Sequence, residues 1–511
     1  MSPTDAMFLL AESPTHPMHV GAVQVFAPPP GRDARDVAAA FDVALATAEM
    51  AAPLRRRATR SVSSLGQWSW QPDPHYRVEN HVHRHTMPQP ADRDALLALC
   101  SRLHSGILDR SRPLWEMHLI GGLADGRYAV YTKMHHAVAD GVAAMRMLQD
   151  SLSADPEQRG MSAAGATVGQ PRPQPTRHGA NLPSAGLARR LPATLAHAAG
   201  MASGEAVGLV GALAGTLDRA VREHAGALSL SAPRSTLNVP ITPARQFTAR
   251  SWPIQRLRRV AQSREATIND VVLAMCSGAL RAYLRDRDTL PEAPLIAMVP
   301  VSLRTEPQRD DSEQRDDGRL KTRHDDHQKQ GGNKVGVLMC SLATHLDAPA
   351  ARLTAVRDMM ADGKRSMRAL SPTQILATSA LGVSTLALSL LPGYSRLLKT
   401  GILRPAFNIV ISNVPGPTGP RYWNGARLDE LYPLSIATHG QALNITCTST
   451  DDQIAFGLTG CPDSMPDLHQ LTDYLDIELN ALEHTSALGG SDRRPASPFP
   501  PRTASTQSLV G

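Results

Sequence analysis

The sequence predicts an α/β protein built in two parts. Three observations lead there. Alternating strand and helix patterns fill residues 1–152 and end in a histidine motif, a Pro/Ser/Gly-rich stretch follows, and a second α/β pattern occupies 236–485. The 511 residues suit one large two-lobed unit or two to four domains, and 42 % hydrophobic content is enough to fill their cores.

Taken in order, the first strand is read at His19–Phe26. The residues before it carry Asp5 and Glu12 and no basic stretch, which argues against a signal peptide. Trp115–Ile120, a turn through Gly121-Gly122 and Asp125-Gly126, and Arg127–Met134 read as a hairpin. In its second strand Tyr128, Val130, Thr132, Met134 and His136 alternate with Ala129, Tyr131, Lys133 and His135. Strand geometry therefore sends the two adjacent histidines to opposite faces. After Asp140-Gly141 the period becomes helical, with Val142, Met145, Leu148 and Leu152 on one side.

Residues 153–235 read as a linker, from Asp155 to about Pro183, and an Ala-rich helical crossover. In the second part, Thr267-x-x-Asp270 forms a capping pattern for a helix that carries Ile268, Val272, Met275 and Tyr283 on one face. Two roles are open for Asn269 and Asp270: capping, or shaping a site opposite His136. Ala297–Leu303 reads as a buried strand whose end presents Ser302 and Arg304. Residues 305–330 hold Leu320 as their one large aliphatic side chain and are otherwise mostly charged, the composition of an extruded loop. Its His324, Asp325, Asp326 and His327 read as solvated rather than metal-binding. Phe407–Ile411 is another strand, followed by Ser412-Asn413-Val414-Pro415-Gly416-Pro417. That rigid turn either simply reverses the chain or holds polar groups where an oxyanion develops. Residues 486–511, rich in Ser, Pro and Arg, read as a disordered tail.

The net charge of +6 permits attraction to anionic lipid or to an acidic co-substrate, and no segment resembles a nucleic-acid-binding module. The arginines at 245, 250, 256, 258 and 259 could meet phosphates, but a solvated helix face accounts for them more simply. Five scattered cysteines with no CxxC pair support neither a disulfide framework nor a thiolate metal site, and they fit a reducing, cytoplasmic setting. The longest uncharged run, Gln374–Tyr394, is interrupted by Ser, Thr and Pro392 and is too short in its apolar part to span a bilayer. It reads as a buried helix or as one lying on a lipid surface, so contact with a membrane is expected to be peripheral.

The chemistry is concentrated in His135-His136-Ala137-Val138-Ala139-Asp140-Gly141, where a strand gives way to a helix. An imidazole there can take a proton from a hydroxyl and return it to a leaving group at neutral pH. The competing reading is a strand-end histidine pair with Asp140 capping the next helix. Adjacent strand histidines cannot easily face one ion, so no metal is expected.

With these residues assembled, the chain resembles the bacterial wax ester synthase/acyl-CoA:diacylglycerol acyltransferase family. The resemblance runs from Thr4-Asp5-Ala6-Met7-Phe8 and Pro17-Met18-His19-Val20-Gly21 to near Asp463. It includes Pro113-Leu114-Trp115-Glu116, the histidine motif, Asn269-Asp270, Met298 to Arg304, Gly332-Asn333-Lys334-Val335, Ser412 to Pro417 and Leu443-Asn444-Ile445-Thr446. The histidine motif alone is shared with condensation domains and chloramphenicol-acetyltransferase-like enzymes, whereas the ordered set is far more specific. Loop 305–330 and the C-terminal extension depart from the family pattern without removing a matched motif.

The resemblance implies two chloramphenicol-acetyltransferase-like lobes, each a mixed sheet flanked by helices, with a tunnel at their interface. It implies transfer of an acyl group from acyl-CoA, a co-substrate rather than a cofactor, to diacylglycerol or a long-chain alcohol at a membrane or lipid-droplet surface. His136 is then the base. His135 shapes the loop, Asp140 turns away from substrate and holds the turn with Arg304, and Gly141 gives the backbone room. Asn269, Asp270, Arg304, Ser412 and Asn413 support the site. The acceptor, the acyl length and the oligomeric state stay open. The rival functions are a carrier-protein-dependent, condensation-type acyltransferase and a non-catalytic lipid-droplet protein on the same scaffold.

Overall fold

The computed structural model describes residues 1–60, 66–166, 232–302, 335–368, 394–400 and 404–490. The predicted crossover, most of its linker, loop 305–330, the Gln374–Tyr394 run up to residue 393 and the tail beyond 490 lie outside them.

Two six-stranded sheets carry the architecture. The first runs β11 (Tyr422–Trp423), β12 (Ala426–Leu434), β1 (His19–Ala27), β6 (Tyr128–His135), β5 (Trp115–Leu123) and β4 (Val82–Ala91). The second runs β7 (Gln246–Pro253), β14 (Gln453–Gly460), β13 (Leu443–Thr450), β10 (Ile409–Val414), β8 (Ile296–Ser302) and β9 (Val335–Ser341). Both sheets are mixed: β4–β5 and β10 with its two neighbours are parallel, the other pairs antiparallel. A separate hairpin joins β2 (Arg56–Arg60) to β3 (Trp68–Pro72).

The predicted hairpin is β5–β6, in register from Trp115–Met134 to Ile120–Ala129. Alternation along β6 divides the core as the sequence requires. Val130 and Met134 pack with α2 (Ala34–Ala46) and α4 (Gly141–Asp150), while Ala129 and Tyr131 pack with α3 (Arg93–Ser105). The far face of the second sheet is covered by α5 (Ile254–Ser263), α6 (Ile268–Arg285), α7 (Pro349–Arg368) and α9 (Gln470–Gly490) in the largest apolar cluster. Two shorter helices are α1 (Pro3–Ala11) and α8 (Tyr394–Thr400). Among the described residues no helix is long and apolar enough to cross a membrane.

Chain order and space do not coincide. Strand β12 comes from the second half of the chain yet lies beside β1, paired from Gly21–Leu434 to Ala27–Arg427. Glu430 on β12 accepts from Arg93 at 2.5 Å and Arg127 at 2.8 Å, which ties the strand to the first lobe. Across the lobes, β12 passes over β14 so closely that a Cβ at Gly457 would collide with the carbonyl of Pro433. Helix α9 also runs five residues beyond 485, into the stretch read from composition as tail.

Candidate active site

The polar alternation of β13 faces a cavity of about 340 Å³ where the two sheets meet. Leu443, Ile445 and Cys447 go to the core on one side, and Asn444 and Thr446 line the cavity on the other. On β10, Ile409 and Ile411 are core residues while Val410 and Ser412 line it; on β8, Met298 and Pro300 do. The opposite wall comes from the first lobe and is mostly apolar, with Met117, Met134, Met145, Leu148 and Trp115 prominent. The Trp115 indole N–H donates to the carbonyl of Leu54 at 2.8 Å, which fixes that wall.

Into this cavity projects His136. Its backbone N–H donates to the carbonyl of Met18 at 2.8 Å, anchoring the end of the hairpin to the start of β1. Its ring stacks on Phe8 of α1, centroids 4.0 Å apart and planes inclined by 23°. Burial holds the imidazole below its usual value, while Asp140, a hydrogen bond to the residue's own backbone and Asp5 draw it partly back.

His135 points the other way and is fully buried. Its Nδ1 accepts from the Ala137 N–H at 3.0 Å, so Nε2 carries the proton and lies 3.5 Å from Glu12 Oε1. The buried Glu12 carboxylate accepts from Arg110 at 2.9 Å and from the Met18 N–H at 3.3 Å. One carboxylate thereby ties α1, the approach to β1 and the histidine motif together. Phe8 belongs to a stretch that carries the family resemblance, but neither its contact with His136 nor that of Glu12 with His135 has a periodic signal in the sequence. Asn444 and Thr446, by contrast, were readable as the polar face of an alternating strand.

The remaining sequence candidates are distributed as follows. Gly141 and Ser412 line the cavity with His136. A Cβ at Gly141 would meet nothing within 4 Å, so its value is open cavity space rather than an unusual backbone angle. Asn413 is exposed, because strand β10 continues through Val414 and alternation turns that side chain away from Ser412. Asn269 and Asp270 are not among the cavity-lining residues. Asp270 is engaged in the α6 capping box, accepting from the Thr267 N–H at 2.8 Å. Ser302 ends β8, and Arg304 lies outside the described residues.

Asp140 is exposed and caps α4, accepting from the Ala143 N–H at 2.7 Å. An exposed cap is worth about 1 kcal/mol, so Asp140→Ala lowers the melting temperature modestly rather than abolishing folding. Asp140→Asn separates the two roles. The amide still caps, but the charge that raises the His136 pKa is gone, so the acid limb of the rate–pH profile moves to lower pH. A limb that stays in place would remove Asp140 from the electrostatics of His136.

Burial pushes His16, His104 and His135 each down to about 3. They stay neutral in the folded chain while the unfolded chain binds protons below about pH 6.5, so acid favours unfolding. Their contribution is complete above pH 6.5 and is lost as pH falls toward 3, at about 1.4 kcal/mol per histidine per pH unit. Calorimetry should show a melting temperature that is flat above pH 7 and drops steeply between pH 6 and 4. Unchanged stability at pH 5 would refute the neutral assignment.

Comparison with known proteins places this geometry. Residues 1–272 match the wax ester synthase/diacylglycerol acyltransferase catalytic domain, and residues 331–483 match the corresponding C-terminal domain. A candidate diacylglycerol O-acyltransferase of Mycobacterium tuberculosis (strain ATCC 25618 / H37Rv) is 48 % identical over 495 residues, 96 % of this chain and 92 % of its own. The solved wax ester synthase/diacylglycerol acyltransferase of Marinobacter aquaeolei VT8 is similar with a TM-score of 0.73 and 35 % identity, covering 95 % of this chain and 99 % of that one. The first condensation domain of the CDA synthetase shares the fold alone, at a TM-score of 0.50 and 16 % identity over 95 % of each chain.

Proposed function

Since the chain belongs to the wax ester synthase/diacylglycerol acyltransferase family and is an acyl-CoA-dependent O-acyltransferase, we propose that it esterifies diacylglycerol to triacylglycerol with His136 as general base. The observation that carries the role of His136 is its position: a neutral imidazole facing a largely apolar cavity between the two sheets.

Held neutral, the imidazole that lines the cavity keeps one ring nitrogen unprotonated, with its lone pair available to a hydroxyl. The acceptor hydroxyl gives its proton to that nitrogen as its oxygen bonds to the thioester carbon. The C–S bond then breaks, and His136 returns the proton to the departing CoA thiolate. Charge on the tetrahedral oxygen is met from the second lobe. Asn444 Oδ1 accepts from the Thr446 hydroxyl at 2.8 Å, which leaves the Asn444 NH₂ and the Ser412 hydroxyl as donors in the cavity. Donor and acceptor enter from different ends of a tunnel through this interface.

Purified protein given labelled palmitoyl-CoA with diacylglycerol and hexadecanol in parallel tests the acceptor. Triacylglycerol as the main product is expected, from the names of the mycobacterial relatives. A dominant wax ester product would reverse the preference, and turnover only with a carrier-bound acyl donor would replace the family reading.

A further inference from the structure

Above the histidine motif lies a small apolar cluster in which Leu9 of α1, Ala58 of β2, Leu108 and Leu114 pack against Ala137, with Trp68 and Trp70 of β3 laid against it. Its outer surface is unusual for this molecule. Leu10 is 46 % exposed and Ile107 44 % exposed, and each is next in sequence to a leucine of the cluster. On β2, Arg56 and Arg60 lie two residues either side of the cluster residue Ala58 and are exposed, and Arg60 sits over the Trp68 ring at 4.9 Å. Among the described residues no carboxylate pairs with Arg56, Arg57 or Arg60, whereas Arg55 beside them is paired with Glu49. Half-buried tryptophans, exposed aliphatic residues and unpaired arginines on one face suit the boundary between lipid head groups and acyl chains. Among the described residues the other large exposed apolar side chains, Val43, Met359 and Ile477, belong to α2, α7 and α9, none of which contributes to the cluster.

We infer that this face, formed by α1, the 106–108 loop and strands β2 and β3, docks the protein on an anionic phospholipid bilayer. The inference rests on the reading of the chain as an enzyme acting on a lipid acceptor, and it explains where that acceptor arrives. The cluster beneath the face packs against Ala137, the neighbour of His136. A lipid hydroxyl leaving the bilayer here starts close to the base.

The chain carries its own reporter. Of its five tryptophans, Trp115, Trp252 and Trp423 are fully buried, while Trp68 and Trp70 are half-buried in the hairpin. Vesicles of phosphatidylcholine with about a quarter phosphatidylglycerol should shift tryptophan emission to the blue, and pure phosphatidylcholine should do so far less. Leu10→Ser with Ile107→Ser, or Arg56→Gln with Arg60→Gln, should weaken vesicle partitioning on the order of tenfold. Met359→Ser with Ile477→Ser should leave it unchanged. Turnover of water-soluble short-chain substrates should be unaltered in all three double variants. Undiminished binding by the first two pairs, equal loss in the third, or a concentration-dependent dimer without vesicle binding would overturn the assignment. Vesicle binding by a protein that turns over no soluble substrate would instead sink the enzymatic reading and leave the docking face standing.

Discussion

His136→Ala should leave the melting temperature near that of the parent and reduce ester formation by about 10²–10⁴-fold. The fold is spared because His136 faces a cavity, and its backbone bond to Met18 survives the substitution. The rate is not spared, since among the described residues that line the cavity no other side chain is a base able to take the hydroxyl proton and give it to the thiolate. The loss corresponds to about 3–5 kcal/mol of barrier. His135→Ala should behave differently. It removes a packed ring from the motif loop and the acceptor of the Ala137 N–H, so stability falls together with rate. Steady-state turnover beside calorimetry on both variants separates the roles, and near-parental turnover by His136→Ala would reject the base.

Arg352→Ala should be the most destabilising single change in the second lobe, at about 3–5 kcal/mol. Arg352 of α7 donates to both carboxylate oxygens of Glu478 on α9, at 2.6 and 2.7 Å, with both side chains buried. Gly278 of α6 abuts the same carboxylate, and a Cβ there would overlap it, so three helices meet at one ion pair. Without the guanidinium the carboxylate is left alone in the apolar layer. Burial already raises the Glu478 pKa against the opposing pull of Arg352, so the variant should take up a proton there. The gap between variant and parent is therefore widest at alkaline pH and narrows in acid. Replacement by a long apolar residue together with Glu478→Leu should recover much of the loss. Equal melting temperatures for Arg352→Ala and the parent would refute the pairing.

Local physics made much of this legible in the chain. The alternation through Tyr128–His136 sends His135 into the core and His136 into the cavity, because strand period alone decides which side each ring takes. Thr267 and Asp270 likewise form the expected capping box, a contact that spans three residues and needs no tertiary partner. What stayed hidden depends on distant segments meeting. Phe8 on the ring of His136, Glu12 behind His135 and the insertion of β12 beside β1 each join positions whose spacing carries no periodic trace. For Asn269 and Asp270 the capping contact and a site-facing role competed in the sequence. In the folded chain Asp270 caps α6, accepting from the Thr267 N–H.

The placement of β12 has a consequence for biosynthesis. A ribosome that has released the first 150 residues has exposed β1 with one neighbour, β6, and one vacant edge, and the strand that fills that edge is still about 280 residues from being translated. Until then the nascent chain presents an open row of amides and carbonyls that can pair with the wrong partner. Expression of an isolated N-terminal half should therefore give aggregates, and supplying the 422–434 segment in trans should rescue solubility.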